Sequence, residues 1–230
     1  MKFREMMTQL KIDMKPMTFA QKVDHIWSNF KEYIIVFTLV AVAIIGYAVT
    51  LLTAKDAALT CYTVNVELSE QGNTYICEDF LSTIGNPEKE KIMVVYREYV
   101  ENPSSMQIED NSTVMTQIAA MVDAEALDVV ISDKIGMEVC LSLGIYLELT
   151  EILTEEELAG MEGKIIYGIP EDSDVAYPFA LDITDTDFAK DYVKAKDKVF
   201  IGFMGNTTHL ENCRSLWELI KNYETNPGGQ

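Results

Sequence analysis

Basic residues are scarce in this 230-residue chain, where 18 Lys and Arg stand against 37 Asp and Glu for a formal net charge of −19. A surface of that sign repels nucleic-acid phosphates and anionic headgroups, so nucleic acid is excluded as a partner. Histidine is scarcer still, with two in the chain. No HExxH, GxSxG or P-loop pattern occurs, so zinc hydrolysis, elbow-serine hydrolysis and phosphate-loop chemistry lack their usual residues. The four cysteines, Cys61, Cys77, Cys140 and Cys213, form no CxxC pair and no Cys/His ligand spacing. Neither a metal nor a cofactor is expected. The cysteines read first as buried free thiols and second as a disulfide, for which three pairings are open. The run DITDTD (Asp182, Asp185, Asp187) lacks the glycine and distal glutamate of a calcium loop and reads as a turn or helix cap.

Long apolar runs are also missing, with one exception. YIIVFTLVAVAIIGYAVTLLTA, Tyr33 to Ala54, carries no charge. At about 1.5 Å per residue it spans a hydrocarbon core of about 30 Å with some tilt. A cleaved signal peptide has a shorter leader and a small-x-small exit, whereas 32 residues precede this run and Leu52-Thr53-Ala54 lacks that exit. The run therefore reads as an uncleaved signal anchor. Cys61, preceded by Thr60 and lying beyond the run, does not fit a lipoprotein anchor. Lys2, Arg4, Lys11, Lys15, Lys22 and Lys31 precede the run, and Lys55 is the one close basic residue after it. The positive-inside rule then expects a single-pass membrane protein with a cytoplasmic N-terminus and an extracellular C-terminal domain. Removing those six basic residues and four acidic ones (Glu5, Asp13, Asp24, Glu32) leaves 12 basic against 33 acidic outside, a net of −21.

Three segments follow: a cytoplasmic tail at 1–32, a transmembrane helix at 33–54 and one extracellular domain at 55–230. In the tail, Thr18 and Gln21 make a capping box, and Phe19, Val23, Ile26, Trp27 and Phe30 recur at helical spacing. This predicts an interfacial helix running into the span, with the lipid bilayer as its partner. Within the span, Gly46, Thr50 and Ala54 fall four apart, a small-xxx-small pattern that allows self-association.

The domain alternates strand and helix signals. CYTVNVEL reads as a strand, Thr74 to Thr83 as a helix stopped by IGNP, and KIMVVYREYV as a second strand. After the polar loop ENPSSMQIEDNS, Ser112 is placed to cap a helix carrying Val114, Met115, Ile118, Ala119 and Val122 on one face. LDVVIS is short and apolar throughout, like a strand buried on both faces. The order predicts an α/β fold: one N-terminal transmembrane helix followed by a single, mostly parallel α/β sandwich domain. No internal repeat or low-complexity segment interrupts it, and the tail ETNPGGQ reads as frayed.

The stretch ALDVVISDKIGMEVCLSLGIYLELTEIL runs from a strand ending in Ser132-Asp133 through a helix to an extended Tyr146-Leu147 and Leu149. This order resembles one lobe of extracellular solute-binding proteins. KIIYGIPEDS, YPFALDIT and VFIGFMGNTTHLENCRSLWELIKNY resemble that family's hinge-proximal segment, chain return and closing helix. The leader TFAQKVDHIWSNFKEYIIV is similar to the juxtamembrane opening of clostridial-type membrane proteins carrying such domains. The family inserts a second lobe between segments like Pro170 and Tyr177, where this chain has EDSDVA alone. The resemblance therefore implies a truncated, single-lobed form without the closing clamp of a two-lobed binder.

In open α/β sheets ligands gather beyond the carboxyl ends of the strands, which puts Ser69, Glu70, Tyr99, Ser132 and Asp133 on one rim. Ser132 or Asp133 could equally be the N-cap of the helix that follows. Thr154 and Glu157 form a second capping box, with Glu155 and Glu156 favouring the positive helix end. His209, the one histidine of the domain, sits with Glu211 at the start of the final helix, and a catalytic base there needs a nucleophile such as Cys140 or Cys213 that the sequence alone does not bring to it. The sequence thus points to a non-enzymatic, accessory or sensory binding module for a small molecule or a membrane-protein partner. A structural, protein-interaction subunit is the alternative.

Overall fold

The computed structural model describes residues 16–100, 105–169 and 174–224. Lys2, Arg4, Lys11, Lys15, the start of the ENPSSM loop, the first half of EDSDVA and the tail beyond Glu224 lie outside the described residues. The chain divides into two compact units, Met1–Ala54 and Lys55–Gln230.

Among the described residues the first unit holds one α-helix, α1 (Phe19–Thr53), of 35 residues, or about 52 Å of rise. Its segment Phe30–Thr50 is long and apolar enough to cross a membrane. At its start the Gln21 side chain accepts a hydrogen bond from the Thr18 N–H at 3.0 Å, the return half of the capping box. No break separates the amphipathic stretch from the apolar one, and Phe19, Val23 and Trp27 stand exposed. Thr50 Oγ1 donates to the Gly46 carbonyl at 3.0 Å. Nothing lies within 4 Å of a Cβ placed on Gly46, and Ala54 sits one residue past the last helical position.

The second unit is built on a six-stranded sheet. Its members are β1 (Asp56–Val64), β3 (Glu90–Arg97), β4 (Val129–Ser132), β5 (Ile165–Gly168), β6 (Tyr177–Asp182) and β8 (Phe200–Phe203), in the order β3-β1-β4-β8-β6-β5. β1 pairs in parallel with β3 and β4. β8, β6 and β5 add antiparallel contacts, so β3, β1, β4 and β6 point one way and β8 and β5 the other. A separate two-stranded ribbon joins β2 (Glu67–Leu68) to β7 (Val193–Lys194). The domain is therefore mixed α/β.

The central position of β1 explains its composition: seven successive residues from Ala58 to Val64 are buried, as a strand covered on both faces requires. CYTVNVEL is not one strand, because Asn65 adopts φ 59° and turns the chain out of β1 into β2. Helix α2 occupies residues 70–84 as Glu70–Thr74, a π-helical Tyr75–Phe80 and Leu81–Ile84. It starts earlier than the sequence suggests because Ser69 caps it, accepting from the Gly72 N–H at 3.1 Å. Helix α3 (Ser105–Asp123) also starts earlier than expected, and Ser112 is not its cap. Ser112 lies inside α3, where its carbonyl accepts from Thr116 Oγ1. The polar run before it winds into helix because Asn111, buried at 6% exposure, holds both the N–H and the C=O of Val100.

Helices cover both faces of the sheet. On one face Ile76, Phe80 and Leu81 of α2 pack with Cys213, Leu216, Trp217 and Ile220 of α7 (Leu210–Asn222) over Leu59, Cys61, Val129, Ile131 and Ile201. On the other, Val114, Ile118 and Val122 of α3 pack with Met137 and Cys140 of α4 (Lys134–Ser142) over Tyr62, Val64 and Val130. The chain thus leaves β1 toward one face and leaves β3 and β4 toward the other, which opens a crevice beyond their carboxyl ends. Two short helices, α5 (Glu155–Ala159) and α6 (Asp187–Tyr192), complete the unit. The expected capping box is present at α5, where Thr154 and Glu157 bond each other's backbone N–H groups.

Candidate functional site

The crevice is held together by Asn65. Its amide nitrogen donates to both carboxylate oxygens of Asp133, at 3.2 and 3.1 Å, and its Oδ1 accepts from the Tyr99 N–H at 2.7 Å. Its own N–H reaches the Arg97 carbonyl at 3.0 Å. One side chain therefore ties together the ends of β1, β3 and β4. Asparagine suits the position because it tolerates the left-handed conformation and carries both a donor and an acceptor.

The sequence-expected residues divide around this hub. Asp133 is a cap, as one of its two readings had it: Oδ1 accepts from the Gly136 N–H at 2.8 Å. Its carboxylate also takes the Asn65 bonds, so it belongs to the crevice as well. Tyr99 enters through its backbone N–H, while its ring packs against the α3–α4 core. Ser132 is buried at 1% exposure and its Oγ has no hydrogen-bond partner, so it underlies the crevice without facing solvent. Beside it lies the fully buried Tyr146 phenol, whose pKa burial raises well above 10, assisted by the Cys140 thiol. Ser69 is spent on capping α2, and Glu70 turns to a neighbouring cleft with Tyr75 and Tyr192.

An open cleft of about 500 Å³ adjoins the crevice, lined by Asn65, Glu67, Tyr96, Val193, Lys194, Ala195 and Lys196. It mixes both charges with an aromatic ring that is 48% exposed. Burial and the carboxylates of Glu98, Glu67 and Asp133 raise the Tyr96 pKa, so its phenol stays protonated as a donor at neutral pH. On the reverse face, the Arg97 guanidinium stacks 5.1 Å above the Tyr62 ring, and its Nε is buried without a hydrogen-bond partner. Sequence reasoning missed Asn65, Glu67, Tyr96, Lys194 and Lys196. The Asn within TVNV was the available signal for a turn, since Asn is enriched where φ is positive. Nothing local marks Lys194, which arrives through a two-residue ribbon.

At the opposite end of β4, the buried Asp128 carboxylate collects three donors. These are the Thr60 N–H at 2.7 Å, Thr207 Oγ1 at 2.5 Å and His209 Nδ1 at 3.1 Å. His209 thus has the orienting partner the sequence did not reveal. Cys213 lies behind Thr207, 3.9 Å from its Oγ1, and burial pushes its thiol up to about 12, so it is not a thiolate nucleophile at neutral pH. All four cysteines are free thiols, Cys61, Cys140 and Cys213 buried and Cys77 half-buried. Among the described residues no three His, Cys, Asp or Glu side chains converge as a metal site. No protein-family model, curated protein or solved structure matches the chain.

Proposed function

We propose that the chain is a membrane-anchored, solute-binding-like module whose single α/β unit holds a small polar solute at the rim of β1 and β3. The observation that carries this reading is the cleft of about 500 Å³ beside the Asn65 hub. It opens where an α/β sheet offers exposed strand ends, and it presents Glu67, Tyr96, Lys194 and Lys196 around one space. Opposite charges lining one cleft suit a solute that carries both an ammonium and a carboxylate. In this reading α1 spans the membrane once, the lysines and arginines before it keep the N-terminus cytoplasmic, and Gly46, Thr50 and Ala54 provide a face for self-association. Without a second lobe the site stays open, which suits sensing or delivery more than tight capture.

The test is calorimetry and thermal unfolding of the full chain in detergent against amino acids, sugars and short peptides. A solute at about 100 times its dissociation constant adds about 2.7 kcal/mol of stability. Tyr96→Ala and Lys194→Ala, at exposed positions, should abolish the effect while leaving the unliganded melting temperature unchanged. A solute that still binds both variants, or a folded chain silent to the whole panel, refutes the rim site.

One observation favours the protein-interaction reading. β5 is an edge strand, and Tyr167, Ile169 and Val175 near its hairpin are 62%, 55% and 71% exposed. Exposed apolar side chains on a free edge attract another chain. If that surface is the working one, Tyr167→Lys with Ile169→Lys abolishes association with the partner, and the rim variants do not.

A further inference from the structure

A second cleft, of about 540 Å³, opens beside α2 and shares no lining residue with the rim cleft. Glu70, Gln71, Thr74, Tyr75, Asp79 and Tyr192 line it. Its defining walls are two half-buried tyrosine rings, Tyr75 and Tyr192, with centroids 5.2 Å apart and planes tilted by 32°. Tyr223 packs against both, at 5.5 and 5.0 Å, and Phe188 meets Tyr192 edge-on at 5.5 Å. The rings are therefore backed by other rings, and little conformational freedom remains to be lost when a ligand settles on them.

Three local features build these walls. Gly72 lets Tyr192 approach, since a Cβ there would come within 2.7 Å of the Tyr192 Cβ. The Ser69 N–H fixes the Tyr192 carbonyl at 2.7 Å. The segment that carries Tyr75 and Asp79 is wound as a π-helix over Tyr75–Phe80, a rare winding that concentrates at functional sites. Among the described residues the lining contains no Lys or Arg, and neither Glu70 nor Asp79 forms an ion pair. Aromatic faces carry negative potential at their centres, so a cation placed on them is attracted while an anion is repelled.

We infer that this cleft binds an organic ammonium ion, with its head against the Tyr75 and Tyr192 rings and Glu70 and Asp79 as counter-charges. A quaternary head fits best because it is weakly hydrated and leaves water readily. An ammonium head, quaternary or primary, can belong to a free amine or to a lysine of a partner chain.

The test uses the full chain in a maltoside detergent, free of choline lipids, titrated with choline and with 3,3-dimethylbutan-1-ol, its uncharged isostere. Choline should bind roughly 10-fold more tightly than the alcohol, and its affinity should fall as salt rises. Tyr75→Leu, and separately Glu70→Gln with Asp79→Asn, should each weaken choline by roughly 3- to 30-fold, the carboxamide pair doing so with the ring cluster intact and the melting temperature little changed. Lys194→Ala at the rim should leave choline binding unchanged, which separates this site from the rim site. A capped lysine peptide that binds more tightly than n-butylamine assigns the head to a protein partner, and equal affinities assign it to a free amine. Equal binding of choline and its isostere, or no heat with choline into the tens of millimolar from a folded chain, overturns the inference.

Discussion

Replacing Asn65 with alanine tests whether the rim is held by one side chain. Three losses follow from its geometry. The half-buried Tyr99 N–H loses its acceptor at 2.7 Å, which costs about 1 kcal/mol when water partly replaces it. The Asp133 carboxylate loses the amide donor at 3.1 and 3.2 Å, about another 1 kcal/mol for a long, partly exposed bond to a charged group. Alanine must then hold φ at 59°, about 1 kcal/mol more than asparagine asks. The total is about 3 kcal/mol, and at ~2–4 °C per kcal/mol for a unit of this size the melting temperature should fall by ~6–12 °C. Near-ultraviolet circular dichroism of the full chain in detergent reads it. Asn65→Gly removes the same bonds but accepts positive φ without strain, so it should melt above the alanine variant. Asn65→Asp keeps an acceptor for Tyr99 but faces Asp133 with a like charge, so it should recover stability in mild acid. A fall below ~2 °C for alanine, or a glycine variant no better than alanine, refutes the reasoning.

Other consequences are as direct. Gly202→Ala would place a Cβ 2.3 Å from Tyr146 Cε1 in the sheet core, so it should destabilise by ~1–3 kcal/mol in urea unfolding; a neutral result would show that Tyr146 moves freely. Maleimide should label Cys77 first in the folded chain and Cys61, Cys140 and Cys213 after denaturation, because burial pushes Cys140 and Cys213 up to about 12 and Cys61 higher. Rapid labelling of Cys140 in the folded chain would contradict its burial. The Glu157 pKa lies below its ordinary 4.5, lowered first by the Thr154 backbone bond, then by the Thr154 hydroxyl and Arg214. A lowered carboxylate contributes stability that is present above the unfolded value and lost as pH falls through the folded one. Glu157→Gln should therefore flatten the loss of stability below about pH 4.5, and an unchanged acid profile would remove Glu157 from the cause.

Where the sequence proved legible, a single physical demand dominated the local residues. The α1 helix was legible because only a membrane or a deep core tolerates so long an uncharged run. β4 was legible because Val129, Val130 and Ile131 are all at 0% exposure, and a strand covered on both faces has no polar side to alternate with. The α3 face of Val114, Ile118 and Val122 was legible for the same reason at helical spacing. The start of α3 was not, because it depends on Asn111 holding Val100, a contact that closes only after the chain has folded. The antiparallel half of the sheet was hidden as well, since β6 and β8 are apolar runs that would serve either direction.

The site follows the same division, and this bears on which residues would select a ligand under the proposed function. Capping residues can be read from sequence because a cap bonds to backbone within three positions, as Asp133 does to Gly136 and Ser69 does to Gly72. Those bonds consume the very polar atoms that the rim argument assigned to a ligand. What remains free to meet a solute comes from residues that are neighbours only in space: Glu67 and Lys194 face each other because β2 and β7 pair as an antiparallel ribbon, and Tyr96 joins them from the edge strand β3. Specificity at the rim should then follow the ribbon more than the caps. Changes at Glu67, Tyr96 or Lys194 should alter which solute binds, whereas changes at Asp133 or Ser69 should alter stability first and binding only through it.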